Sequence, residues 1–144
     1  HDKLDIEHSH VFGATVTKVM TSKEKIVVWG TGEEKRDLLY VDDLVAFVLL
    51  AIENQEDKYN LLNCGCGSAV AIKDFVLKIV KASGKKLKIK YDLSKPTIKT
   101  SISVDSSLAE KKIGWSPKVD LDEGIASTIR WWKDTIGPHQ VNRE

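Results

Sequence analysis

Arg36 sits in the stretch VVWGTGEEKRDLLYVDD, Val27 to Asp43, between two glycines and an acidic pair. Its guanidinium can grip a phosphate bidentately. The local alternative is a surface arginine paired with Asp37 or Asp42, and local sequence alone favours that pairing. Gly30 and Gly32 follow an apolar run, as in a dinucleotide-binding turn, but the third glycine is missing and Glu33 and Glu34 would repel a phosphate. A tight turn after a strand is the reading they support. Tyr91 and Lys95 have the Tyr-x-x-x-Lys spacing that, on one helical face, lets lysine lower a tyrosine pKa for proton transfer. Pro96 disfavours helix at Lys95, and KLKIKY before it alternates like a strand, so the pair is read as fortuitous. His8 and His10 flank Ser9 near Asp5 and Glu7. Either histidine could be a general acid, and no recognised metal-ligand spacing joins the four. Lys73 to Lys99 carries nine lysines against two aspartates, which is either a solvated face or an attractor for an anionic ligand.

Composition narrows the classes. The charges nearly balance, 22 basic against 21 acidic residues, which argues against a dedicated nucleic-acid binder. The longest apolar run, Leu44 to Ile52, is too short to span a bilayer. No signal-peptide pattern is visible at the N-terminus, so a cytoplasmic protein is expected. Cys64 and Cys66, the two cysteines, are too close for an ordinary disulfide and lack a second pair for zinc. Reduced thiols and no metal are the expectation. The length, 144 residues, suits a single domain, 1–144.

The elements that must position these residues alternate. A short helix is expected from Val11 to Met20, and a buried strand from Ile26 to Trp29. Asp42 or Asp43 would cap a helix running to about Asn54. That helix is apolar almost all round, which predicts deep burial. Tyr59 to Cys64 reads as a strand, Lys73 to Ala82 as a helix stopped at Gly84, and Lys86 to Tyr91 as a strand. Asp105 would cap a short helix stopped by Gly114. Asp120 and Glu123 have capping-box spacing for a last helix to about Ile136. Strands alternating with helices predict an α/β fold.

Three stretches taken together resemble the extended short-chain dehydrogenase/reductases that act on nucleotide-sugars, the NAD-dependent epimerase/dehydratase family. VVWGTGEEKRDLLYVDDL is similar to that family's strand, glycine turn, arginine and helix start. YNLLNCGCGSAVAIKDF resembles its N-x-G-x-G strand end and following helix. VDSSLAEKKIGWSPKVDLDEGIASTIRWW resembles its C-terminal signature. Within the family, HSHVFGATVTKVM, KIVVWGTG and SKPTIKTSISVD are most similar to the GDP-fucose-forming epimerase-reductases.

The resemblance implies the following. The chain is the C-terminal, substrate-binding portion of a longer enzyme, without the Rossmann half that carries the cofactor site. His10 is the catalytic acid of the epimerisation. Lys18, Trp29, Arg36 and Lys95 contact a nucleotide-diphosphate sugar, with GDP favoured. Lys18 replaces the arginine usual at its position, and Ser101 stands where another arginine is usual. NADP serves the intact enzyme, a homodimer, and no cofactor is bound by this chain, which alone is inactive. The strand Tyr59 to Cys64 joins the nucleotide-binding sheet of the missing half. The alternatives are the same portion of a UDP- or dTDP-sugar epimerase or dehydratase using NAD, and a non-catalytic nucleotide-sugar-binding module.

Overall fold

A first core forms where helices with one apolar stripe meet a small sheet. The computed structural model describes residues 9–95 and 100–137. Its elements, in chain order, are α1 (Val11–Thr21), β1 (Lys25–Trp29), β2 (Lys35–Asp37), α2 (Val41–Asn54), β3 (Ala69–Ala71), α3 (Ile72–Ser83), β4 (Lys88–Asp92), α4 (Ser107–Ile113) and α5 (Leu121–Thr135). The predicted α/β character holds.

α3 shows how sequence becomes packing. Phe75, Val76 and Ile79 recur at i, i+1 and i+4, fall on one face, and are fully buried. Each such side chain contributes about 1.5–3 kcal/mol by leaving water. Gly84 ends the helix in the left-handed conformation, φ 75°. α5 starts as the capping spacing predicts: Asp120 accepts a hydrogen bond from the Glu123 amide at 2.8 Å. Its buried Ile125, Ile129 and Trp132 meet α3, while Val16 and Val19 of α1 close the same cluster with Ile26 and Val28 of β1. β1 and β4 pair in parallel, from Lys25 opposite Lys88 to Trp29 opposite Asp92. Alternation along β1 sends Ile26 and Val28 inward and leaves Lys25, Val27 and Trp29 outside. Lys85 finishes the core by donating to the carbonyls of Val19, Met20 and Ser22 at the end of α1.

A second, smaller cluster holds Ala109, Ile113 and Trp115, with Phe47, Leu50 and Ala51 of α2 against them. Phe47 meets Trp115 edge-on, ring centroids 5.3 Å apart.

Three predictions are corrected here. α2 is not deeply buried. Only its narrow face of Phe47, Leu50 and Ala51 packs, Asp43 is its one buried residue, and Leu44, Val45, Val48, Leu49 and Ile52 are exposed. All-round apolarity creates a demand for cover that the described residues meet on one side only. Tyr59 to Cys64 is not a strand. Exposure alternates from Asn60 to Cys64, as along a strand, but among the described residues no neighbouring strand supplies ladder hydrogen bonds. The caps also differ. α2 starts after Tyr40, and Asp43 turns its carboxylate away to another segment. α4 starts after Ser106, with Asp105 accepting from the Ser107 amide at 2.9 Å.

β2 and β3, three residues each, add a second sheet that the sequence does not announce. They pair antiparallel, Lys35 opposite Ala71 and Asp37 opposite Ala69. The segment from Thr100 to Ile102 lies along β2 on its other side. The Lys35 amide donates to the Thr100 carbonyl at 2.9 Å, and the Ile102 amide to the Lys35 carbonyl at 3.4 Å.

Candidate functional site

β1 carries Trp29 to the end of the small sheet, where the residue is 60% exposed. Two cations converge on it from different elements. Lys18, in the last turn of α1, places its Nζ 5.4 Å from the ring centroid. Lys95, in the turn after β4, places its own at the same distance. Both lie within the range at which a ring quadrupole attracts an ammonium, about 6 Å. Burial pulls the Lys18 pKa down from the ordinary lysine value. The turn carrying Lys95 is stapled by Asp92, whose carboxylate accepts from the Ser94 amide and hydroxyl at 3.1 and 2.6 Å. The Ser94 hydroxyl, then its amide, then Lys95 hold the Asp92 carboxyl below the usual carboxylate range. Among the described residues neither ammonium is ion-paired. Two cations sharing one aromatic ring, neither of them ion-paired among the described residues, form a place where an anion with a planar group is favoured.

Arg36 sits on β2. One guanidinium nitrogen donates to its neighbour's carbonyl, Lys35 O, at 2.9 Å and to the Thr100 hydroxyl at 2.7 Å. The pairing with Asp37 or Asp42 favoured by local sequence does not form. Asp37 is occupied: it accepts from the Cys66 amide at 2.8 Å, the Gly67 amide at 3.1 Å and the Val104 amide at 2.9 Å. This carboxylate therefore ties the end of β2 to two loops and fixes the strand that presents Arg36. Gly65 is required in that knot, since a Cβ there would collide with Val104. Asp37 has no local signal in the sequence, because its three donors lie about 30 and 67 residues away.

His10 is the residue before α1. Its carbonyl accepts the Ala14 amide at 2.9 Å, its side chain makes no cap bond, and it is exposed. No described contact joins it to Trp29 or Arg36. Along α1 it stands about 12 Å from Lys18, eight residues on. His8, Asp5 and Glu7 lie outside the described residues. Tyr91 and Lys95 are not on a helix: Tyr91 is in β4 and Lys95 in the following turn.

The glycine turn is accounted for. Gly30 and Gly32 have φ of 68° and 71°, as a tight turn needs. Instead of opening a helix of its own, the turn covers the start of another. The Gly32 and Glu34 carbonyls accept the Lys73 and Ile72 amides, each at 2.9 Å, and Glu33 pairs with Lys73 at 2.7 Å. The first two amides of α3 are thus taken, and the turn opens no helix of its own to hold a pyrophosphate, so it does not fit a dinucleotide.

Cys66 donates its thiol to the Leu38 carbonyl at 2.9 Å. Burial, then the nearby Asp37 and Asp43 carboxylates, push it up to about 11. Cys64 is raised by burial and the same two carboxylates. Both are structural thiols rather than nucleophiles. Among the described residues no group of three His, Cys, Asp or Glu could hold a metal, and no helix is long and apolar enough to cross a membrane. An apolar cavity of about 700 Å³ opens between α1, the segment before α2 and α5, lined by Phe12, Val16, Tyr40, Ile125 and Trp131 among others. Lys18, Trp29, Arg36 and Lys95 do not line it.

Both the sequence and the fold have known relatives. Residues 3–65 match the sequence profile of the NAD dependent epimerase/dehydratase family. GDP-L-colitose synthase of Yersinia pseudotuberculosis is 33% identical over 136 residues, covering 92% of this chain and 44% of that protein. A probable GDP-L-fucose synthase 1 of Oryza sativa subsp. japonica is 33% identical over 139 residues, covering 94% of this chain and 42% of that protein. Among solved structures, the UDP-glucose 4-epimerase of Thermotoga maritima with UDP-glucose superposes with a TM-score of 0.78 at 28% identity, over 94% of this chain and 43% of that one. The chain thus spans less than half the length of the relatives it matches.

Proposed function

We propose that this chain, whose residues 3–65 match the NAD dependent epimerase/dehydratase family, forms the nucleotide-sugar-binding part of a GDP-fucose-synthase-like epimerase-reductase. The intact enzyme would convert a GDP-4-keto-6-deoxymannose-type substrate to GDP-fucose. The observation that carries the reading is the convergence of Lys18 and Lys95 on Trp29. These three residues are distant in sequence and meet only through the fold.

The roles follow from the chemistry of each group. Trp29 offers a flat apolar face, and Lys18 and Lys95 add two point charges to it. Arg36 supplies a planar fork for the diphosphate. His10 is assigned the proton transfer to the substrate carbanion, because imidazole is the side chain that most often serves as general acid. NADPH is assigned to the half of the intact enzyme that carries a dinucleotide site. The glycine turn of this chain does not fit that cofactor, so no step here runs through it. The open face of α2 and the exposed Tyr59 and Leu61 support a docking role for this side of the chain toward that half.

The test is titration calorimetry with GDP, GDP-sugars and UDP, on this chain and on the intact enzyme. Arg36→Lys should weaken GDP binding by about 1.5–3 kcal/mol, and Lys35→Ala by less. Equal losses would count against the reading. A UDP reading is favoured by the likeness to the Thermotoga maritima enzyme, and tighter binding of UDP than GDP would select it. In the intact enzyme His10→Asn should slow epimerisation while leaving nucleotide affinity nearly unchanged. Normal turnover of that variant would remove His10 from the mechanism.

A further inference from the structure

Arg36 has five N–H donors, and the structure shows which are spoken for. One terminal nitrogen carries two hydrogens, and it has two acceptors, the Lys35 carbonyl at 2.9 Å and the Thr100 hydroxyl at 2.7 Å. That nitrogen is saturated. The other terminal nitrogen and Nε have no partner among the described residues. They form the side-on edge of the guanidinium, two parallel N–H groups spaced for two oxygens of one phosphate or carboxylate.

We propose that Thr100 is a positioning residue: with the Lys35 carbonyl it locks Arg36 so that only the side-on edge is offered to an anion. The proposal rests on the reading of Arg36 as a diphosphate ligand and adds how its fork is aimed. Thr100 is itself held in place. Its carbonyl accepts the Lys35 amide at 2.9 Å, so the hydroxyl and the strand bearing Arg36 move as one unit. Asp37 anchors the next residue of that strand through three amides. An arginine on a free stem would lose rotamer freedom when it bound; one already held at a terminal nitrogen loses less. The Thr100 hydroxyl accepts from Arg36, so its own hydrogen remains to donate.

The test is a double-mutant cycle read by calorimetry with GDP. Thr100→Val keeps the shape and removes the acceptor. It should weaken binding about two- to tenfold, the range of one ordinary hydrogen bond, with an unchanged melting temperature. Thr100→Ser should restore wild-type affinity. In an Arg36→Lys background, which has no fork to aim, Thr100→Val should change nothing further. If Thr100→Val binds like wild type while Arg36→Lys loses affinity, the positioning role is wrong and the diphosphate reading stands. The role is equally wrong if Thr100→Val weakens binding to the same extent in both backgrounds. If wild type and Arg36→Lys bind GDP equally, the diphosphate reading fails and takes this inference with it.

Discussion

α3 and α2 are both rich in apolar residues, and the fold treats them differently. α3 has one apolar stripe, and α1, α5 and the β1–β4 sheet cover it, leaving Phe75, Val76 and Ile79 with no exposed surface. α2 is apolar nearly all round, and α4 with Trp115 covers one narrow face. Leu49 stays 54% exposed and Ile52 74%. The contrast teaches that hydrophobicity states how much cover a helix needs, and topology decides how much it receives.

The comparison breaks first at the core. Phe75→Ala should cost about 3–5 kcal/mol in urea denaturation, since its cavity has packed walls on every side. A loss below about 1 kcal/mol would mean the α1–α3–α5 core is not closed. Next comes Asp43, the one buried residue of α2. Its oxygens accept the Lys118 and Val119 amides, both at 3.0 Å, and its carbonyl accepts the Trp115 indole at 2.9 Å. Asp43→Ala should cost about 2–4 kcal/mol by leaving two amides without their carboxylate. If it is neutral, α2 is not anchored through this residue.

A smaller effect should appear at the seam between the regions, where Cys66 meets Leu38 and Asp37. From pH 9 to about 11 an unfolded thiol has lost its proton while folded Cys66 keeps its own. The unfolded state then binds fewer protons, so stability is intact below pH 9 and falls as pH rises through that window. Cys66→Ser should remove this component of the alkaline loss, seen as a shallower fall in the urea midpoint across that window. An identical fall in both proteins would rule it out. The smallest effect on stability is expected on the open face. Leu49→Gln with Ile52→Gln should shift stability by no more than about 0.5 kcal/mol per site while reducing self-association in sedimentation experiments. A large loss of stability would show that this face is covered after all.

What is legible in the sequence follows the same division. α3 and α5 are readable because each carries a period that matches its own covered face, whereas β1 is readable only as a β-branched run, and Val27 and Trp29 of that run lie outside rather than buried. The exposure of α2 is not, because an all-round apolar helix gives no clue to which neighbour it meets. Tyr59 to Cys64 has the alternation of a strand, but a strand also needs a partner, which alternation does not supply. β2 and β3 are three residues long, too short for any period to register. At the site, the resemblance picks out Lys18, Trp29, Arg36 and Lys95, and the fold brings three of them together at one ring. Asp37 and Thr100 escape a reading of the sequence because their partners are distant along the chain and their residue types are common on any surface.

Trp29 also makes the site visible to light. The chain has four tryptophans, and Trp115 and Trp132 are buried while Trp131 is half-buried, so Trp29 is the indole most open to water. Its emission should lie to the red of the others. The two ammonium groups beside it concentrate anions, so iodide should quench that red component ahead of the rest, whereas caesium, repelled by the same charges, should not. Occupancy of the ring can therefore be followed by fluorescence in the unlabelled protein.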